Sequence, residues 1–201
     1  MSNRIPTELA TDLLGSARMF LSALVRVLEY QPLEQATHGE VTLGQLKLLE
    51  LIALTERLSI GEVASFLRVT PAAASQSIDR LVQRRLLRRS GGARDRRTSH
   101  VALTRRGRRL IADVHAVRSR TLQLTLGRLT PPELRKTTEL LDRLSREIRA
   151  FDVQGQEVCM ECGTHFRERC VLRGLSRCTC FYERFGNQSG RNVSHRLARI
   201  V

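Results

Sequence analysis

A mainly α-helical chain with one small β-hairpin is what three features of this 201-residue sequence predict. Two short helix signals meet across a connector of a few residues near Arg68 and Val69, an arginine-flanked glycine turn follows at Gly91-Gly92, and long apolar-periodic segments lie on either side. Helix, tight turn, helix and then hairpin is the order of a winged helix-turn-helix.

From residue 7 to about residue 29, Leu9, Leu13, Leu14, Phe20, Leu21, Leu24, Val25 and Leu28 recur at helical spacing. This predicts one long amphipathic helix closed by Pro32. Ser59-Ile60-Gly61-Glu62 reads as a capping box that starts the first motif helix, whose stripe of Val63, Ala64, Phe66 and Leu67 stops at Arg68-Val69. Thr70-Pro71 restarts a helix with an N-cap residue and a proline at N1, where no amide partner is missed. In this second helix Ala74, Ile78, Leu81 and Val82 form the inward face, and Ala72, Ser75, Gln76, Asp79, Arg80 and Gln83 the outward one. Small residues near its start let a helix approach base edges. Ser75, Gln76 and Arg80 carry the donors and acceptors of major-groove readout, Gln favouring adenine and Arg guanine. An ordinary solvated helix face is the competing explanation.

Residues 86–89 and 98–103 read as two strands around Ser90-Gly91-Gly92-Ala93 and Arg94-Asp95-Arg96-Arg97. A basic hairpin tip suits the narrow minor groove, whose negative potential attracts inserted arginines. Asp95, the lone acid there, is placed to orient Arg97. Thr104-Arg105-Arg106-Gly107 then caps a long helix to about residue 129. Thr130-Pro131-Pro132 stops it and restarts another to Phe151. One small winged domain cannot bury the apolar faces of all these long helices, so they are expected to pair two copies of the chain.

The formal net charge is +14 and the pI about 11.2. The excess is focused: Arg84, Arg85, Arg88, Arg89, Arg94, Arg96, Arg97, Arg105, Arg106, Arg108 and Arg109 all fall in and around the hairpin. Phosphate contact is the expected use, and roughly six such contacts make affinity fall about a thousandfold between low and moderate salt. RNA or acidic lipid would use the same charge. No segment is apolar for long enough to span a membrane and the N-terminus lacks a signal-peptide core, so a cytoplasmic location is expected. Neither a phosphate-cradling glycine loop nor HExxH occurs, and no nucleophile pairs convincingly with a histidine, so the chain is not expected to be an enzyme.

All five cysteines, Cys159, Cys162, Cys170, Cys178 and Cys180, lie near the C-terminus. Clustered cysteines with a CxxC pair in a cytosolic chain read as metal ligands rather than a disulfide framework. Four thiolates would hold zinc or an iron–sulfur cluster of the 4Fe–4S type, and Arg167, Arg169, Arg173, Arg177 and Arg184 would offset the negative charge. The cysteines are separated by two, seven, seven and one residues, which fits neither a zinc ribbon nor a ferredoxin run. His165 could stand in for one thiolate. A metal-free thiol switch is the third reading.

Residues 41–110 resemble the MarR family of winged helix-turn-helix transcriptional regulators. The specific marks are Asp95-x-Arg97 and Val101-x-Leu103-Thr104-x-x-Gly107, supported by Leu43-x-x-Leu46, Glu62-Val63-Ala64, Leu67-x-Val69-Thr70 and the run from Ser75 to Leu81. Gln76 stands where the family usually has arginine. Arg85 stands where it usually has glycine, and must turn left-handed or end the helix differently. The resemblance implies a repressor acting as a homodimer, with first and last helices interleaved and two recognition helices about 34 Å apart on a pseudo-palindromic operator. A small aromatic acid or a redox signal would be the effector. The DNA-contacting set is then Thr70, Ala72, Ser75, Gln76, Arg80, Arg94, Asp95, Arg96 and Arg97. The expected organisation is a dimerisation helix (1–36), the winged domain (41–110), linker and dimerisation helices (104–152), a cysteine-rich metal-binding segment (157–185) and a mobile tail (186–201).

Overall fold

The computed structural model describes residues 5–55, 58–67, 69–90, 100–151 and 170–171. Helix α1 (Thr7–Leu24) passes directly into a π-helical turn (Val25–Tyr30) and then into α2 (Gln31–Thr37). This corrects the expectation that Pro32 closes the first helix. Pro32 sits in the first turn of α2, where its missing N–H is tolerated, and the wider π turn precedes it. The helical run ends instead at His38, whose φ of 49° is left-handed.

Helix α3 (Leu43–Thr55) opens on a reciprocal cap. The Thr42 amide donates to Gln45 Oε1 at 3.0 Å and the Gln45 amide donates to Thr42 Oγ1 at 3.3 Å. It buries Leu46, Leu48, Leu49, Leu51, Ile52 and Ala53, so it is covered nearly all round and shows no amphipathic stripe. There follow β1 (Leu58–Ser59), α4 (Ile60–Leu67), α5 (Pro71–Gln83), β2 (Leu87–Ser90), β3 (His100–Leu103), α6 (Arg105–Leu126) and α7 (Pro131–Ala150).

The three strands form an antiparallel sheet in the order β1-β3-β2. Leu87 pairs with Leu103, Arg89 with Val101 and Ser90 with His100, while Leu58 and Ser59 pair with Val101 and His100 on the other edge of β3. The expected hairpin is present, but β2 begins one residue later than predicted because Leu86 closes the end of α5. The third strand, β1, is an addition. Residues 91–99, which include the expected turn and basic tip, lie outside the described residues.

The core joins α3, Val63 and Ala64 of α4, Ala74, Ile78 and Leu81 of α5, Leu86, Leu87, Val101 and Leu103 of the wing, and Ile111 and Val114 of α6. Leu33 of α2 closes it from the N-terminal side, so the buried unit reaches past residues 41–110 at both ends. Helices α1 and α7 bury no residue at all. Helix α7 starts on a capping box in which the Thr130 amide donates to Glu133 Oε2 at 2.7 Å. Hydrogen bonds from the Thr130 backbone and hydroxyl hold the Glu133 carboxyl below the usual carboxylate range. Among the described residues no helix is long and apolar enough to cross a membrane.

Candidate nucleic-acid interface

The helix-turn-helix is fixed by its caps. The Ser59 amide donates to Glu62 Oε2 at 2.8 Å and the Glu62 amide donates to Ser59 Oγ at 3.2 Å, the reciprocal cap the sequence predicts. Ser59 is also the β1 residue paired with His100, so one residue ties the start of α4 to the central strand of the wing. Thr70 caps α5 by accepting from the Ala73 amide at 3.2 Å, with Pro71 inside the first turn.

Helix α5 divides as its periodicity predicts. Ala74, Ile78 and Leu81 are wholly buried and Val82 is half-buried, while Thr70, Ala72, Gln76, Arg80 and Gln83 face outward and are exposed. Ser75 and Asp79, also expected on the outward face, are half-covered. The cause is Arg89 of β2, whose Nη2 donates to Asp79 Oδ1 at 2.5 Å and to Ser75 Oγ at 3.4 Å. The wing strand is thereby clamped to the recognition helix, a link the sequence reading missed. Its one visible signal was an acid on the outward face of a helix otherwise set among cations.

The end of α5 answers the question raised by Arg85. The Leu86 amide donates to the Leu81 carbonyl at 2.9 Å and the Arg85 amide to the Val82 carbonyl at 2.8 Å, which is a Schellman motif with Arg85 at C′ and φ of 59°. An arginine thus holds the left-handed position that glycine fills at least cost. Arg85→Gly is expected to raise stability by about 1 kcal/mol, read as a higher denaturant midpoint with an unchanged slope. A lower midpoint would contradict the strain.

The segment Leu103-Thr104-x-x-Gly107 is the joint between wing and α6. The Thr104 amide donates to the Leu86 carbonyl at 3.1 Å, its hydroxyl donates to the Arg85 carbonyl at 2.6 Å, and the same hydroxyl accepts from the Gly107 amide at 3.0 Å. A Cβ on Gly107 would lie 2.3 Å from the Leu86 carbonyl oxygen, so this position admits only glycine without a shift of backbone.

The arginines fall into two groups. Arg84 donates to the Glu40 carbonyl, Arg106 Nη2 lies 2.5 Å from Glu40 Oε1, and Arg89 holds Asp79. Arg80, Arg85, Arg88, Arg105, Arg108 and Arg109 are exposed and pair with no acid among the described residues. Four of the first five residues of α6 are arginine, with no acid in its first turn, an arrangement the helix macrodipole disfavours. Arg94, Asp95, Arg96 and Arg97 lie outside the described residues. So do Cys159, Cys162, Cys178 and Cys180, while Cys170 is described and partly buried. Segment 186–201 lies outside them too.

A capped two-helix motif, an exposed polar face on its second helix and a three-stranded wing bolted to that helix define a winged helix-turn-helix protein. Residues 40–98 match the family model described as the MarR family. The chain is 26% identical over 148 residues to the HTH-type transcriptional repressor MdtR of Bacillus subtilis, covering 74% of this chain and 96% of that protein. The crystal structure of the YusO protein from Bacillus subtilis superposes with a TM-score of 0.60 at 24% identity, over 71% of this chain and 99% of the other. That of RV1404 from Mycobacterium tuberculosis superposes with a TM-score of 0.59 at 23% identity, over 72% and 96%. At such identities the two structures show the shared fold. Over residues 40–98 the chain carries the MarR family match, and it is similar to winged-helix transcriptional regulators of that family.

Proposed function

We propose that the chain acts in the cytoplasm as a homodimeric repressor that lays α5 of each copy in the major groove of a pseudo-palindromic operator. The observation that carries this reading is the outward face of α5: small at Ala72, polar at Gln76 and Arg80, and rigidly backed by three fully buried residues and the Arg89 clamp. Thr70 and Ser75 complete the groove-facing set on this helix, and Arg94, Asp95, Arg96 and Arg97 are assigned to the minor groove from the sequence. The exposed, acid-free arginines at the start of α6 serve the phosphates.

Dimerisation is supported by the apolar side chains left uncovered on the long helices. Leu9, Leu13, Leu14, Phe20 and Leu21 of α1 and Leu140, Leu141 and Ile148 of α7 are exposed, as is Phe151 at 85%. A surface of that kind on helices that bury nothing marks an interface. Sedimentation together with footprinting on genomic DNA tests the reading. A dimer protecting two half-sites one helical turn apart supports it; a monomer without preference for any duplex ends it.

For the C-terminal segment the proposal is a cysteine-ligated centre, either a 4Fe–4S cluster or zinc, formed by four among Cys159, Cys162, Cys170, Cys178 and Cys180. Its support is the confinement of every cysteine to this one segment. The iron–sulfur centre is preferred because it gives a regulator a redox signal, whereas zinc is redox-silent. Anaerobically purified protein is expected to carry iron and acid-labile sulfide, and removing the metal is expected to change operator affinity about tenfold, towards the lower end of ordinary couplings. Equal affinities at fixed salt leave only a structural role. Protein without metal but with an oxidation-dependent affinity assigns the same residues to a thiol switch.

A further inference from the structure

Where α6 leaves the winged core, four ionisable side chains meet that the DNA-contacting surface does not use. Val114 is the last buried residue of α6, and beyond Leu122 the helix is exposed. One turn past Val114, the Arg118 guanidinium reaches three ways. Its Nε donates to the Leu28 carbonyl at 3.0 Å, Nη2 donates to Glu29 Oε2 at 2.7 Å, and Nη1 lies 3.6 Å from Glu50 Oε1. On the same α6 face, His115 Nε2 lies 2.7 Å from that Glu50 oxygen. The Arg118, Glu29, Glu50 and His115 side chains are 21%, 29%, 13% and 15% exposed, so the cluster is largely withdrawn from water.

The cluster joins three elements of different character. Glu50 belongs to α3, whose neighbours in sequence are wholly buried core. Leu28 and Glu29 belong to the π turn, the continuation of α1, which is uncovered along its length. Arg118 and His115 sit on the helix that runs from core to exterior. The Leu28 carbonyl cannot accept an α-helical bond from residue 32, since Pro32 has no N–H. Proline, π turn and arginine therefore form one device. A guanidinium carries five N–H donors in a fixed planar fork that reaches a carbonyl and two carboxylates in set directions, whereas the ammonium of lysine is a compact point charge.

We propose that Arg118 is a positioning residue that sets the angle at which α1 and the outer half of α6 leave the winged core, and so sets the separation of the two recognition helices in the dimer. This rests on the dimeric, operator-binding reading above. A joint of this kind acts on geometry and leaves the contacts of each α5 alone. Losing it broadens the range of half-site spacings the dimer accepts, while binding to one half-site is unchanged.

The test compares wild type, Arg118→Met and Arg118→Lys on an isolated half-site and on full operators whose half-sites are moved together or apart by one base pair. Wild type is expected to favour one spacing by about tenfold or more, because each base pair rotates and shifts the second half-site. Arg118→Met is expected to keep half-site affinity within about twofold and to narrow the spacing preference to about threefold; Arg118→Lys should follow Met, lacking the fork. Should Arg118→Met fail to fold, Glu29→Gln, which removes only the arm to the π turn, is expected to narrow the preference in the same direction. An unchanged spacing profile, or half-site and full-operator affinities that fall in parallel, overturns the inference and leaves the dimeric reading intact. A wild type that is monomeric or indifferent to spacing overturns both.

Discussion

Gly107→Ala is expected to lower stability by about 3 kcal/mol, the upper end of what overpacking costs. The added Cβ would stand 2.3 Å from the Leu86 carbonyl oxygen and 2.9 Å from Leu103 Cδ2. The leucine methyl can rotate away, but the carbonyl cannot. It accepts the Thr104 amide at 3.1 Å and lies 3.1 Å from the Thr104 hydroxyl, and Leu86 is at the same time the residue whose amide closes the Schellman turn of α5. Relief of the clash must therefore open either the joint of α6 with the wing or the end of the recognition helix. Gly61→Ala is the control, since a Cβ there meets nothing within 4 Å. It is expected to be neutral or stabilising, by less than the roughly 1 kcal/mol that the exchange gives in a helix interior, because Gly61 lies in the first turn of α4. Denaturant midpoints at fixed salt read both. If the two alanines behave alike, the close approach at Gly107 does not matter and the joint is looser than its geometry implies.

The sequence carried the elements whose physics is local. The α5 faces followed from a 3.6-residue period, and the caps at Ser59 and Thr70 from residue types that satisfy free amides one turn away. The run Leu103-Thr104-x-x-Gly107 was recognisable as a signature, yet its reason, a carbonyl pressed against a glycine, is visible only in three dimensions. What escaped is non-local or too short to have a period. Strand β1 has two residues and doubles as a helix cap. Helix α3 is buried on most sides and so has no stripe to read. Pro32 read as a stop because a proline inside a periodic segment usually is one, and only the π turn before it lets the helical path continue. Asp79 with Arg89, and Glu29 with Arg118, join residues on different elements, so spacing along the chain held no trace of either pair.

Operator affinity is expected to fall about a thousandfold or more between roughly 50 and 200 mM salt, as phosphate contacts by arginine release counterions. The arginines expected to carry that dependence are the exposed ones without an acid partner among the described residues. Arg105, Arg108 and Arg109 stand on one face at the start of α6, exposed and paired with no acid among the described residues. Replacing all three by glutamine is expected to lower the slope of log affinity against log salt by about 3 to 4, if two of the three touch phosphate in each subunit at about 0.9 apiece. The same triple variant should be more stable than wild type, because each cation removed from a helix N-terminus relieves about 0.3 to 1 kcal/mol. Arg106, held by Glu40 and 55% exposed along its side chain, should behave differently: Arg106→Gln costs at most about 1 kcal/mol of stability and moves the slope by less than about 1. Discrimination between operator and mismatched sites should survive the triple variant, and fall with Gln76→Ala or Arg80→Ala by about 1 to 3 kcal/mol per lost base contact. Gain of stability with loss of salt-dependent affinity is a combination that a merely solvated basic face does not produce. A triple variant that keeps the wild-type slope would show that the start of α6 meets no phosphate, and would confine the DNA contact to α5 and the wing.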